Sequence, residues 1–415
     1  MSKFEFRIEE IRNSQFEIPS ELNVQGPDER SRITAEARRV VIKLGTAILM
    51  REDGSIALSR FYSFIEAIAD LKRKGLEVLL VSSGAVGLGA ERLGVAARPQ
   101  LLPLKQACAA VGQSRLMSLY SDAFERFGIL TAQLLLTEED FSNRQRYLNL
   151  RGTTMKLLEL GVLPIINEND PVSAAELESI DAPSHVKVNF GDNDKLSALV
   201  ASKIEADLLV MLTDVEGLYT ADPSQSSEAQ LIPIVEEIRG EIEELARAVA
   251  ATQQSRKGRG GIRTKLEAAR VAVHSGCATI IAGGKTEGVI GRLFAGENLG
   301  TLFLPQSGLP VKRRWIAFAT SVKAALVVNE GAQRALAERK ASLLAAGLLE
   351  VRGTFDRGDV VSILDQQERE FARGMVNYSS DEARKIAGLR SDRIDELIEN
   401  RNYDALITRD NIAFL

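Results

Sequence analysis

Asp192, Asn193 and Asp194 stand in a row in the stretch GDNDKLSALV, and two distant lysines, Lys43 and Lys265, occupy positions that could complement them. The plain reading of the acidic row is helix grammar. Asp and Asn at a helix amino end accept free backbone N–H groups, and negative charge there suits the dipole. Leu196, Leu199 and Val200 follow at helical spacing, so capping accounts for one or two of the three acceptors. One is left over. Lys43 closes the apolar run RVVIKLG, and Lys265 falls in the first turn of a helix opened by the glycine loop of GRGGIRTKLEAARVAV. Alone, each reads as an ordinary exposed lysine. Together with the acidic row they suit phosphoryl transfer to an anionic acceptor. That reaction brings two negative groups together, at about 4 kcal/mol for a pair ~4 Å apart even with an effective dielectric near 20. A site doing this needs fixed cations on the transferred group. Two lysines converging on it would repel each other, and a carboxylate between them would hold both. Asp194 is the expected holder, while Asp192 is either a helper or a cap.

Positioning these residues requires strand ends and helix starts, and the chain supplies both in alternation. From residue 39 short apolar runs (RVVIKLG, EVLLVSSG, LTAQLLLT, VLPIINEND, DLLVMLTD, ATIIAGG) alternate with helical stretches at RFYSFIEAIADLKRKG, near 104–127 and 143–160, after the acidic row, and near 235–250 and 264–275. This pattern predicts an α/β fold, an open and mostly parallel sheet in an α/β/α sandwich. Ligands of such sheets lie at the carboxyl ends of the strands. Polar or glycine clusters stand at those ends: Lys43-Leu44-Gly45-Thr46, Ser82-Ser83-Gly84-Ala85, Asn167-Glu168-Asn169-Asp170 and Thr213-Asp214. A Walker loop is absent, and GAVGLGAERLG lacks the GxGxxG spacing of a dinucleotide fingerprint. The rhythm breaks near residue 305 at PQSGLPVKRRW, after which short strands with turn glycines predict a small β-rich domain.

Composition narrows the class. The 415 residues carry 45% hydrophobic and 26% charged side chains, as an ordinary globular protein of two or three domains does. A net charge of −5 argues against a surface devoted to nucleic acid. Cys108 and Cys277 stand far apart without a metal-ligand pattern, so no metal site is expected. No apolar run reaches membrane-spanning length, so no membrane is expected. Residues 1–37 mix eight acidic with five basic side chains and lack an apolar core, unlike a signal or transit peptide. They read as an amino-terminal extension of unknown role, with a helix at KFEFRIEEIRNSQF, and the chain is expected to be cytoplasmic.

The ordered motifs VIKLGT, VSSGAVGLG, NRQRYLN, PIINENDPVS, GDNDKLSAL, LTDVEGLYTADP, GGIRTKLEAA and GTLFLP carry a resemblance. Together they resemble the amino-acid kinase family, with residues 38–308 as its catalytic domain and residues 312–405 similar to a PUA domain. The resemblance implies ATP-dependent phosphorylation of the L-glutamate γ-carboxylate to L-glutamyl 5-phosphate, the first step of proline biosynthesis. It implies Lys43 and Lys265 on the transferred phosphoryl, with Asp194 orienting both. Ser83, Gly84, Asn167, Asp170 and Asn193 would hold the amino acid. Lys43, Gly45, Thr213, Asp214 and the loop Arg259-Gly260-Gly261-Ile262-Arg263-Thr264-Lys265 would hold ATP, with Mg²⁺ carried on its phosphates. A homo-oligomer, dimer or tetramer, and a hand-off to a glutamyl-phosphate reductase are further expectations. Three features depart from the family pattern. The nucleotide loop carries extra arginines, the segment between Val172 and Gly191 is longer than usual, which leaves proline feedback open, and the extension has no counterpart.

Other readings stay open on sequence. Relatives of this family act on acetylglutamate, aspartate, carbamate or UMP, but Asp170 would be a liability toward a blocked amino group. An RNA-binding protein built on the PUA-like domain is a second class. Residues 311–415 hold 17 Lys/Arg and 16 Asp/Glu, a net of +1, which is a poor footprint for RNA.

Overall fold

The computed structural model describes residues 27–51, 55–95, 99, 101–173, 193–223, 225–240, 242, 245, 261–306, 316, 322, 324–339, 341–389 and 405–414. Helix α1 (Pro27–Glu36) leads into strand β1 (Arg39–Leu44), helix α2 (Leu58–Arg73) and strand β2 (Glu77–Ser82). Helices α3 (Ala85–Leu93) and α4 (Leu102–Glu125) precede β3 (Thr131–Leu136), α5 (Arg144–Glu159) and β4 (Leu163–Glu168). Then come α6 (Asn193–Lys203), β5 (Leu208–Thr213), β6 (Ile234–Val235), α7 (Ile262–His274), β7 (Ala278–Gly283), α8 (Val289–Phe294) and β8 (Thr301–Phe303). The strands form one sheet in the order β3-β4-β2-β1-β5-β7-β8-β6, parallel throughout except between β7 and β8.

Strand alternation decides what each face receives. In β1, Val40, Ile42 and Leu44 enter the core beneath α2, α3, α4 and α8, whereas Val41 enters the core beneath α5, α6 and α7. Lys43 therefore shares the α6–α7 side with Val41 although it sits in the middle of a parallel sheet. The expected alternation of strands and helices is what the structure shows.

The glycines of GAVGLGAERLG serve packing. Gly84 starts α3 with φ 106°, a left-handed conformation that other residues rarely adopt. Gly89 lies where α3 crosses α4, and a Cβ on it would come within 1.8 Å of the Cys108 carbonyl oxygen. Only glycine permits so close a crossing, and this crossing sets the position of Gln113 on α4.

The expected helix at residues 3–16 lies outside the described residues, but the extension does end in structure. On α1, the buried Arg30 guanidinium donates to the carbonyl oxygens of Leu299 (2.6 Å), Pro233 (3.0 Å) and Gly300 (3.2 Å). The extension is thereby tied to the β6–β8 edge of the sheet. Only part of the helix expected near 235–250 falls among the described residues, as does only part of the boundary at 305–315.

Beyond the boundary lie β9 (Ala325–Val328), α9 (Glu330–Arg339), β10 (Leu348–Arg352), β11 (Val360–Leu364), β12 (Glu370–Met375), α10 (Ser380–Ile386) and β13 (Ile412–Phe414). Their sheet runs β10-β9-β11-β12-β13 and encloses its own apolar core. The small β-rich domain is present as expected. Among the described residues no helix is long and apolar enough to cross a membrane.

Candidate active site

Three elements converge on one carboxylate. Asp194, in the first turn of α6, meets the Lys43 ammonium through Oδ1 (2.5 Å) and the Lys265 ammonium through Oδ2 (3.1 Å). All three side chains are almost fully buried, with 6%, 4% and 1% of Lys43, Lys265 and Asp194 exposed. The reading of Lys265 as an exposed helix lysine fails, because α7 packs along α6 and turns this residue inward. A lysine at a helix amino end faces the positive pole of the dipole, and Asp194 offsets that conflict. Burial opposes ionisation of Asp194, but the charges and hydrogen bonds of the two lysines outweigh it and hold the carboxyl below its ordinary range. The three groups thus carry a net charge of +1 between two helix amino ends, an arrangement suited to phosphate.

Beside this triad runs a chain of amides. The Asn193 side-chain amide donates to the Ser83 hydroxyl (2.8 Å), the Ser82 carbonyl (3.0 Å) and Asn167 Oδ1 (3.0 Å). Asn167 in turn donates to Gln113 Oε1 (2.8 Å). Every amide is thereby given a direction. Asn193 Oδ1 is buried without a hydrogen-bond partner among the described residues. Gln113 also lines a cleft of about 270 Å³ together with Gln133, Glu168 and Asp170. Behind Ser83, the buried Tyr120 hydroxyl meets the Ser82 hydroxyl at 2.8 Å. Burial pushes the Tyr120 phenol well up from its ordinary range.

The structure brings Lys43, Asp194 and Lys265 together and joins Ser83, Asn167 and Asn193, while Gly84 adjoins that group at the start of α3 and Asp170 lines the cleft. Gly45 lies against the lysine: a Cβ there would sit 3.4 Å from Lys43 Nζ and 3.3 Å from the Leu212 carbonyl oxygen. Thr213 ends β5 next to β1 and donates to Asp214 Oδ1 at 3.0 Å. Gly261, Ile262 and Thr264 open α7, with the Thr264 hydroxyl returning to the Gly261 carbonyl oxygen (3.0 Å). Arg263 faces solvent and pairs with Glu267 at 3.0 Å. Asp192, Arg259, Gly260 and the long segment 174–190 lie outside the described residues.

Two polar residues escaped the sequence reading, Gln113 and Tyr120. The only available signal was a polar side chain inside the small-residue run AAVGQS, and helical periodicity cannot say that a surface-type residue points inward.

A parallel sheet with its phosphate-seeking site at the strand ends is the architecture of a phosphotransferase family, and the comparison with known families agrees. Residues 38–283, more than half of the sequence, match the Amino acid kinase family, to which this chain belongs. Residues 324–398 match the PUA domain. The Glutamate 5-kinase of Caldanaerobacter subterraneus subsp. tengcongensis is 44% identical over 379 residues, which span 91% of this chain and 98% of that protein. The Glutamate 5-kinase of Trichlorobacter lovleyi is 44% identical across 93% and 99%. That of Methanococcoides burtonii is 43% identical across 92% and 98%.

Proposed function

We propose that this chain transfers the γ-phosphoryl group of ATP to the γ-carboxylate of L-glutamate, producing L-glutamyl 5-phosphate and ADP. The observation that carries the reading is the buried Lys43–Asp194–Lys265 triad, in which Asp194 holds two ammonium groups together at the strand ends and helix starts. A γ-carboxylate oxygen attacks the γ-phosphorus, and the bond from that phosphorus to the β–γ bridging oxygen breaks. The attacking group is already ionised near neutral pH, so the step needs no general base. Positioning and charge stabilisation are what the protein has to supply.

In this reading Lys43 and Lys265 bind the migrating phosphoryl and Asp194 keeps them in register. Gly45, Thr213, Asp214 and the loop from Arg259 to Lys265 hold the nucleotide. Mg²⁺ would be carried on the nucleotide phosphates and would screen their charge. The free amino group of the substrate finds an acceptor in the unpartnered Asn193 oxygen and a countercharge in Asp170. Ser83, the backbone at Gly84, Asn167 and Gln113 serve the rest of the amino acid. A blocked amino group would strand those acceptors, which favours glutamate over acetylglutamate. The product is an acyl phosphate that water destroys, so prompt consumption by a reductase in the cytoplasm fits its chemistry.

Incubation of the protein with ATP, Mg²⁺, glutamate and hydroxylamine tests the reading, because hydroxylamine traps the acyl phosphate as γ-glutamyl hydroxamate. Glutamate-dependent hydroxamate is expected. Turnover of acetylglutamate or aspartate with none of glutamate overturns it.

A further inference from the structure

The carboxyl-terminal sheet has two faces with different occupants. Val361, Ile363, Ala372 and Ile412 point into the domain's own core. On the other face the register sets Val360 opposite Met375, Ser362 opposite Arg373 and Arg373 opposite Ala413. This outer face is seated on the kinase domain. Tyr147 of α5 is buried against Ile316 and Ala413, with Val360 and Met375 packed around them.

The seat leads to α6 at both ends. Its last residue, Lys203, is buried with its ammonium 5.3 Å from the centre of the Tyr147 ring, a cation–π distance, and its carbonyl oxygen 3.5 Å from the Tyr147 hydroxyl. In its first turn, Lys195 directly follows Asp194 and lies within electrostatic reach of Arg373, Glu138 and Glu267. Arg373 is itself steadied by Glu370 at 2.7 Å, which also accepts from the Ser362 hydroxyl at 2.6 Å. The carboxyl-terminal domain therefore packs on Tyr147 beside the last turn of α6, and Arg373, opposite Ala413 on the same outer face, turns its charge toward the first. The first turn carries Asn193 and Asp194.

We propose that the carboxyl-terminal domain is a brace for the catalytic helix α6, with Tyr147 and Arg373 as positioning residues that keep Asn193 and Asp194 in register with the two lysines. The domain acts through packing and a cross-domain charge cluster. It supplies no group that touches substrate. The inference rests on the phosphotransfer reading for its kinetic consequence, but its mechanical consequence can be measured without turnover.

The test uses the full chain. Ala413→Glu places a carboxylate against Tyr147, and Tyr147→Ala removes the ring. Each is compared with Tyr147→Phe, which keeps the ring and its face toward Lys203. Hydrogen exchange of the amides in residues 196–203 should rise about 10-fold or more in the two disruptive variants, because local opening follows lost packing. Their kcat should fall roughly 3- to 10-fold, the scale of a small misplacement, while the KM for ATP moves less than about 2-fold. Tyr147→Phe should match the parent in both. Arg373→Gln, which spares the apolar seat, should raise amide exchange in residues 196–203 and lower kcat in the same direction as Tyr147→Ala, each by a smaller factor. An Ala413→Glu protein that is extended in solution scattering yet keeps parental α6 exchange and kcat overturns the proposal. So does one that stays docked and unchanged by every measure. If Ala413→Glu does not fold, Tyr147→Ala and Arg373→Gln decide, and parental behaviour in both overturns it. Loss of glutamate activity in the parent would instead count against the phosphotransfer reading, leaving the exchange result to judge the brace.

Discussion

Two of the buried cation sites in this chain are built differently. Lys43 and Lys265 meet on the Asp194 carboxylate, at the strand ends where open α/β sheets take their ligands. Arg30 is equally buried, yet it is surrounded by three carbonyl oxygens of the chain at the β6–β8 edge. Burial lowers its pKa to about 10, which leaves it charged at neutral pH. The first cluster joins ionic side chains from three elements at the strand ends, and the second joins a guanidinium to backbone carbonyls. Burial of a cation therefore does not mark a candidate site. Convergence of ionic groups where such a sheet takes its ligands does.

That contrast breaks most sharply at Asp194. Asp194→Asn keeps the size of the side chain and removes the charge that holds both lysines. The expected outcome is a kcat reduced by about 10²-fold or more with a melting temperature near the parent's. A variant that melts early and turns over normally would make this residue a helix cap alone. Lys43→Ala and Lys265→Ala should each lower kcat by about 10²-fold, the usual scale for one preorganised charge contact. Near-normal turnover in either would remove that lysine from the chemistry.

Arg30→Met should do the reverse. Stranding carbonyl oxygens that lose a buried donor costs about 1–3 kcal/mol, enough to lower the melting temperature by roughly 5–10 °C in a domain of this size. Steady-state kinetics below the transition should not change. A loss of kcat without a loss of stability would move α1 from structural staple to working part.

Removing everything after Pro305 sharpens the comparison from the other side. Every residue placed on substrate precedes that point, so glutamate phosphorylation should persist, slowed several-fold by the loss of the carboxyl-terminal domain. Folded truncated protein with no activity would mean that this domain completes the site.

The smallest effect belongs to Lys195. Burial, with Arg373 adding to it and Glu138 and Glu267 opposing, brings this half-buried lysine to about 8 from an ordinary 10.5. Between those values the unfolded chain binds the extra proton, so the folding penalty of this lysine is largest near neutrality and fades as pH rises. Lys195→Met should raise the melting temperature by a few degrees at pH 7, and the gain should shrink toward pH 10.5. A gain independent of pH would assign it to packing.

Much of this molecule was legible in its sequence because it rests on local periodicity. Apolar runs such as RVVIKLG and DLLVMLTD could bury both faces only in a parallel sheet, and that sheet put the polar clusters at strand ends. The leftover acidic residue and the two lysines could be paired on charge alone, since converging cations need an anion. Which way a side chain points when its type is ambiguous was decided by tertiary structure. Lys265 by itself was as readable as an exposed helix lysine, and the packing of α7 on α6 is what buries it against Asp194. Gln113 reaches Asn167 through the packing of α4, on which its local sequence is silent. Arg30 had no visible role until distant loop carbonyls gathered around it, and the outer face of the last sheet gained an occupant only through Tyr147. Periodicity reports which residues share a face of one element, whereas the identity of the facing element depends on contacts far apart in the chain, on which local sequence carries no signal.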